Sequence, residues 1–132
     1  MKEGLSMFSQ YPLAVVGRVK AGILEHMGVL LPDGRVAHCA PGRGEHISTL
    51  QEFAGGQERV RIVRHVPPER HHATIGRIVE ALRAPKPYDL FANNCEVFAN
   101  RTTGEEPNSP QLRGIVALLA LIGLISVAAA AR

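Results

Sequence analysis

Residues 25–41 read EHMGVLLPDGRVAHCAP, and the fold turns on this stretch. An apolar run, EHMGVLL at 25–31, meets Pro32-Asp33-Gly34 and is followed by RVAHCA at 35–40. Proline presets φ for one corner of a turn, and Asp-Gly accepts the conformations a tight hairpin needs. The stretch therefore predicts two antiparallel strands, the second ended by PGRG at 41–44. Folding about residues 33–34 puts residue 38 opposite roughly residue 29, with His26 further along the ladder. Side-chain parity lets His26 and His38 face one side, while Cys39 points to the other and reads as a core cysteine.

Before the hairpin, LAVVGRV at 13–19 reads as another strand. After it, Thr49 and Glu52 form a capping box that opens a short helix through Phe53, stopped by Gly55-Gly56. Val60 and Ile62 alternate with Arg59 and Arg61, the pattern of a strand with one wet face. Pro67-Pro68 opens a longer helix that ends near Ala84, with Ile75, Ile78, Val79 and Leu82 on one face. The linker PKPYDL leads to FANNCEVFANR at 91–101, helical from Asn94 or Cys95 to Thr103 and stopped by Gly104. The expected class is α+β, a small antiparallel sheet packed with helices.

From Gly114 to Ala131 the chain reads GIVALLALIGLISVAAAA, uncharged and with Ser126 as its one polar residue. A helix of that length spans roughly 27 Å, close to the ~30 Å hydrocarbon core of a bilayer. Arg113 and Arg132 flank it. Its place at the C-terminus excludes a cleaved signal, and MKEGLSMFSQ at the other end lacks a signal-peptide core. The expected organisation is a domain over 1–104, a Pro-broken linker over 105–113, and a transmembrane or membrane-associating helix over 114–131. A buried helix covering an apolar groove is the competing reading of the tail.

The formal charge of +3 is not a nucleic-acid footprint. Residues 1–112 hold thirteen Lys/Arg against twelve Asp/Glu, and no basic stripe interleaved with aromatics occurs. Two cysteines, neither in a CxxC, argue against a disulfide scaffold and fit a reducing compartment. The expectation is a cytoplasmic domain held at a membrane.

A cysteine at a helix N-terminus meets unpaired backbone N–H groups and the positive end of the helix dipole, which favour thiolate. Cys95 is so placed, with Asn93 or Asn94 as the cap. Of the histidines twelve residues apart, one can accept the thiol proton while the other orients it. His46, read as lying in a turn, and His65, His71 and His72 show no zinc spacing with a cysteine, so no metal or cofactor is expected. Glu96 suits the first helical turn, Tyr88 reads as packing near the site, and Arg35 and Arg43 read as solvated.

The block EHMGVLLPDGRVAHCAP resembles that of the lecithin retinol acyltransferase-like proteins, in which two histidines at this spacing flank a DG turn. NNCEVFANRTTGE resembles the NCEHF block that carries the family's nucleophile, and the order His, His, Cys agrees. The small H-Ras-like suppressor phospholipase/acyltransferases of that family also end in a hydrophobic anchor. The resemblance covers roughly residues 10–104 and the tail by architecture. It implies a circularly permuted papain-like fold and acyl transfer from a phospholipid ester onto Cys95, then to water or another acceptor. Under it Cys95 is the nucleophile, His26 the general base and His38 the third, polar member. Met27 stands where the family has an aromatic residue, and Val97 where it has a histidine. Two alternatives remain: a permuted papain-like peptidase or amidase with the same thiol, and a non-catalytic membrane adaptor or toxin acting through the tail.

Overall fold

The computed structural model of the chain describes residues 11–21, 24–56 and 59–131. The hairpin consists of β2 (Leu24–Leu30) and β3 (Arg35–Ala40). Gly34 N–H donates to Leu31 O at 2.9 Å and Leu31 N–H to Arg35 O at 2.8 Å, closing a three-residue loop. Gly34 takes the left-handed corner with φ 88°, and Asp33 Oδ1 accepts from Arg35 N–H at 3.0 Å.

Around this hairpin β1 (Ala14–Ala21), β4 (Gly44–Thr49) and β5 (Arg61–His65) complete a five-stranded antiparallel sheet in the order β4-β3-β2-β1-β5. The sequence reading did not include β4. Residues 41–44 act as a tight turn rather than a stop, with Arg43 N–H donating to Ala40 O and Gly42 and Gly44 at positive φ. His46 consequently lies on a strand, opposite His38, and not in a turn. A five-residue helix, α1 (Leu50–Ala54), follows; the Thr49 side chain caps it by accepting from Glu52 N–H, and Gly55 ends it at φ 59°.

The sheet is covered on both sides. Val15, Val29, Ala37 and Cys39 pack against Ile78 of α2 (His71–Arg83) and against Phe98 and Ala99 of α3 (Cys95–Thr102). Val16, Leu30 and Val36 pack on the other side against Phe53 of α1. Of the apolar stripe read for α2, Ile78 is buried while Ile75 and Val79 stay exposed. The final helix, α4 (Pro110–Ala130), starts at Pro110 rather than 114 because Ser109 caps it, accepting from Leu112 N–H at 3.2 Å, and proline suits the first helical position. Its 21 residues rise about 32 Å, long and apolar enough to cross a bilayer, and none of its side chains is buried. The readings of residues 1–10 and of Arg132 lie outside the described residues.

The close approach of β2, β3 and α1 depends on Gly28. A Cβ there would stand 2.6 Å from Val36 Cγ1, 2.9 Å from Phe53 Cε2 and 3.1 Å from His38 Cβ. Gly28→Ala is expected to destabilise the fold by about 1–3 kcal/mol through overpacking, measured by urea denaturation in detergent micelles.

Candidate active site

The two histidines of the hairpin are in direct contact. His26 Nε2 lies 2.8 Å from His38 Nδ1, and His38 Nε2 lies 2.9 Å from Ser48 Oγ on β4. The Ser48 hydroxyl donates to Thr49 O at 3.1 Å, which fixes the proton order along the chain. With that proton committed, His38 Nε2–H donates to Ser48 Oγ, and His26 Nε2–H donates to His38 Nδ1. His38, accepting at Nδ1 and donating at Nε2, is then the neutral imidazole. Both rings are buried and pack against Phe53, stacked for His26 and edge-on for His38.

Burial first, and then the neighbouring His46, His26, Arg43 and Arg18, push the His38 pKa down to about 3. A second proton on His38 would break the acceptor role of Nδ1 and charge a water-poor site. The β2–β3 backbone ladder is confined to Val29↔Ala37 and Leu30↔Val36, so the side-chain bond joins the two strands beyond it.

Cys95 comes from the α3 side. Asn94 caps that helix, its Oδ1 accepting from Val97 N–H at 2.9 Å, and Asn94 Nδ2 donates to Leu90 O. Cys95 Sγ lies 4.0 Å from the carbonyl oxygen of Glu25, the residue before His26. The structure thus joins His26 and His38 directly and brings Cys95 to the main chain beside His26. The histidines themselves pack on the Phe53 side of the sheet, and α3 on the Phe98 side.

Two carboxylates hold the cysteine helix in place. Glu45 of β4 is buried and accepts from Lys86 N–H, Asn93 Nδ2 and the Arg101 guanidinium. Burial raises its pKa, but those donors outweigh it and keep the carboxyl below its ordinary value. Glu96, also buried, accepts from Ser109 Oγ at 2.6 Å and from Gln111 N–H at 3.1 Å. The Gln111 side chain in turn pairs with the backbone of Glu25, accepting from its N–H at 2.8 Å and donating to its carbonyl at 3.2 Å. Ser48 and Gln111 were not singled out in the sequence; a lone serine or glutamine carries no spacing signal, and both act through partners distant in the chain.

A cavity of about 80 Å³ opens at Cys95, lined by Leu24, Tyr88, Leu90 and, from α4, Leu112 and Ile115. Tyr88 also packs against the core, and burial followed by the nearby Cys95, Cys39 and Asp89 raises its pKa. Cys39 is fully buried, and burial, Glu45 and Cys95 push its thiol up to about 12. Val97, where the resembled block has histidine, is buried, and Met27 packs against the core. Arg35 is exposed and pairs with Asp33, and Arg43 is exposed. Among the described residues no group of His, Cys, Asp and Glu is arranged to hold a metal ion. No family model, curated protein or solved structure matches the chain.

Two outcomes follow from these environments. With its folded-state pKa near 3 against 6.5, His38 stays neutral where the unfolded chain takes up a proton. Its contribution is therefore fully present above pH 6.5 and declines as pH falls toward 3. Between about pH 5 and 6.5, above most carboxylate titration, His38→Gln should flatten the pH dependence of stability measured by denaturation. Iodoacetamide should label the native protein once, on Cys95, while Cys95→Ala stays unlabelled until unfolded, as read by intact mass.

Proposed function

We propose that the protein is a membrane-anchored, cysteine-dependent phospholipase or acyltransferase of the lecithin retinol acyltransferase-like kind, with a circularly permuted papain-like arrangement. One observation carries the reading: a capped helix N-terminus brings Cys95 to the strand that bears a His26–His38–Ser48 chain, at a cavity whose wall includes the base of an apolar helix. No metal or cofactor takes part, and the domain faces the cytoplasm.

In the first half-reaction Cys95 gives its thiol proton to His26 Nδ1 while sulfur attacks the ester carbonyl carbon. This requires the His26 imidazole, which packs with Phe53 on one side of the sheet, to come within reach of Sγ on the side of α3. First-turn amides of α3 donate to the oxyanion of the tetrahedral intermediate. Its collapse breaks the carbon–oxygen bond, and His26 returns the proton to the departing lysophospholipid oxygen. Water or an acceptor hydroxyl or amine then attacks the thioester, His26 taking its proton and restoring it to sulfur as the acyl group leaves. His38 and Ser48 hold His26 in the tautomer that keeps Nδ1 basic.

The wall of the cavity favours a lipid substrate, because Leu112 and Ile115 of the apolar helix form part of it. At about 80 Å³ the cavity takes the scissile carbonyl group rather than an acyl chain. The chains of the substrate stay in the bilayer that α4 enters.

Incubated with mixed phospholipid vesicles, the wild-type chain should gain the mass of one fatty-acyl group, and Cys95→Ala should gain none. Fatty-acid release should fall on the order of a thousandfold or more in Cys95→Ala, and roughly a hundredfold in His38→Ala. Cleavage of peptide or isopeptide amides without lipid turnover would favour the peptidase reading. Membrane activity that survives Cys95→Ala but not loss of residues 114–132 would favour an adaptor or toxin. A Cys95 alkylation rate whose pH profile is unchanged by His26→Gln would remove His26 as the base.

A further inference from the structure

The segment between Tyr88 and the cysteine helix projects two large apolar side chains into solvent. Leu90 is 51% exposed and Phe91 70%. Neither belongs to a core cluster of the sheet. A mobile loop would be a poor place for such residues, but this one is tightly closed. Asp89 and Asn93 exchange both backbone hydrogen bonds, at 3.1 and 2.9 Å. Asp89 Oδ1 accepts from Phe91 N–H at 2.9 Å and from Ala92 N–H at 2.8 Å, and Leu90 O accepts from Asn94 Nδ2 at 2.9 Å. The N–H groups of Asp89, Phe91, Ala92 and Asn93 and the carbonyls of Asp89, Leu90 and Asn93 are thus bonded within the loop and its helix cap. That lowers the cost of taking the loop out of water, where unpaired amides are penalised.

The occupant of the surface follows from what stands next to it. Leu90 lines the same cavity as Leu112 and Ile115, in the opening turns of α4. At 1.5 Å per residue, the apolar part of α4 begins at that level. Wherever α4 enters a bilayer, the tip at 90–91 arrives at its surface. We infer that the loop over residues 89–93 is an interfacial wedge that inserts Phe91 and Leu90 into the lipid headgroup–acyl boundary and sets the Cys95 cavity against the membrane. The inference rests on α4 being a membrane anchor, as in the function proposed above. It adds a second contact that fixes how α4, and the domain its first turn is bonded to, rotates and tilts relative to the bilayer.

The chain contains no tryptophan, so a single introduced one reports without background. Phe91→Trp, Leu119→Trp and Val79→Trp, each in the full chain, would be placed in phosphatidylcholine vesicles. The lipids would be brominated either near the carbonyl end of the acyl chains or at mid-chain. Leu119→Trp, in α4, should be quenched by mid-chain bromine, and Val79→Trp, on α2, should remain open to aqueous iodide. Phe91→Trp should shift to the blue, lose iodide access and be quenched most by the shallow bromines. If Leu119→Trp escapes bromine quenching, the anchor reading itself fails. If Leu119→Trp is quenched while Phe91→Trp stays open to iodide, the wedge is overturned. A blue-shifted Phe91→Trp that no brominated lipid quenches also overturns it, and assigns the surface to a second copy or another protein.

Discussion

The buried carboxylate of Glu45 is the constraint on which the arrangement of the site depends. It belongs to β4 but takes its hydrogen bonds from three places far along the chain: the Lys86 amide, the Asn93 side chain and Arg101 of α3. A carboxylate removed from water is stable only when its lone pairs are occupied by well-placed donors, and losing one partner leaves a charge that nothing else compensates. The helix bearing Cys95 is therefore held against the histidine-bearing sheet by a charge that tolerates one docking geometry. Asn93, next to the cap of that helix, adds a contact to Cys39 through its carbonyl, which accepts from the thiol at 3.3 Å. Cys39 is part of this seam.

A second constraint operates on the other side of the sheet. Two imidazoles in series have a defined order of donor and acceptor only if something fixes one end, and Ser48 does so by spending its hydroxyl proton on its own strand. Phe53 excludes water from both rings. The sheet accordingly separates two jobs. Its Phe98 side docks the helix that carries the thiol, and its Phe53 side keeps the histidines dry and ordered. Cys95 Sγ comes within 4.0 Å of the Glu25 carbonyl oxygen, on the strand that bears His26.

Much of this was readable from residue patterns with local causes. The Pro32–Gly34 turn announces the hairpin but not its exact register: Val29 pairs with Ala37, so His38 falls opposite residue 28 rather than 29, and it is this one-residue shift that puts His26 and His38 on one side. Thr49 and Asn94 announce their helices because capping is a short-range effect. The unreadable parts have non-local causes. β4 was hidden because Pro41 and its glycines look like a terminator, while GEHIST lacks the clean alternation of a one-sided strand and carries its key acid, Glu45, inward. The apolar stripe of α2 suggested more burial than occurs, since periodicity shows which face is apolar and not how much of it another element covers. The separation of histidines and α3 between two sides of the sheet was likewise beyond a reading that placed helices in order without assigning them a face.

The pairing of Gln111 with Glu25 has a consequence for where the protein can be divided. Composition suggests a seam in the polar stretch ahead of the apolar tail. The hydrogen bonds put it elsewhere: Ser109 and Gln111 belong mechanically to the globular part, being bound to Glu96 and to the start of β2. The first turn of α4 is thus a splice plate, half of it bolted to the sheet and half continuing toward lipid. A pull or twist on the apolar helix reaches the strand of His26 through a single amide side chain.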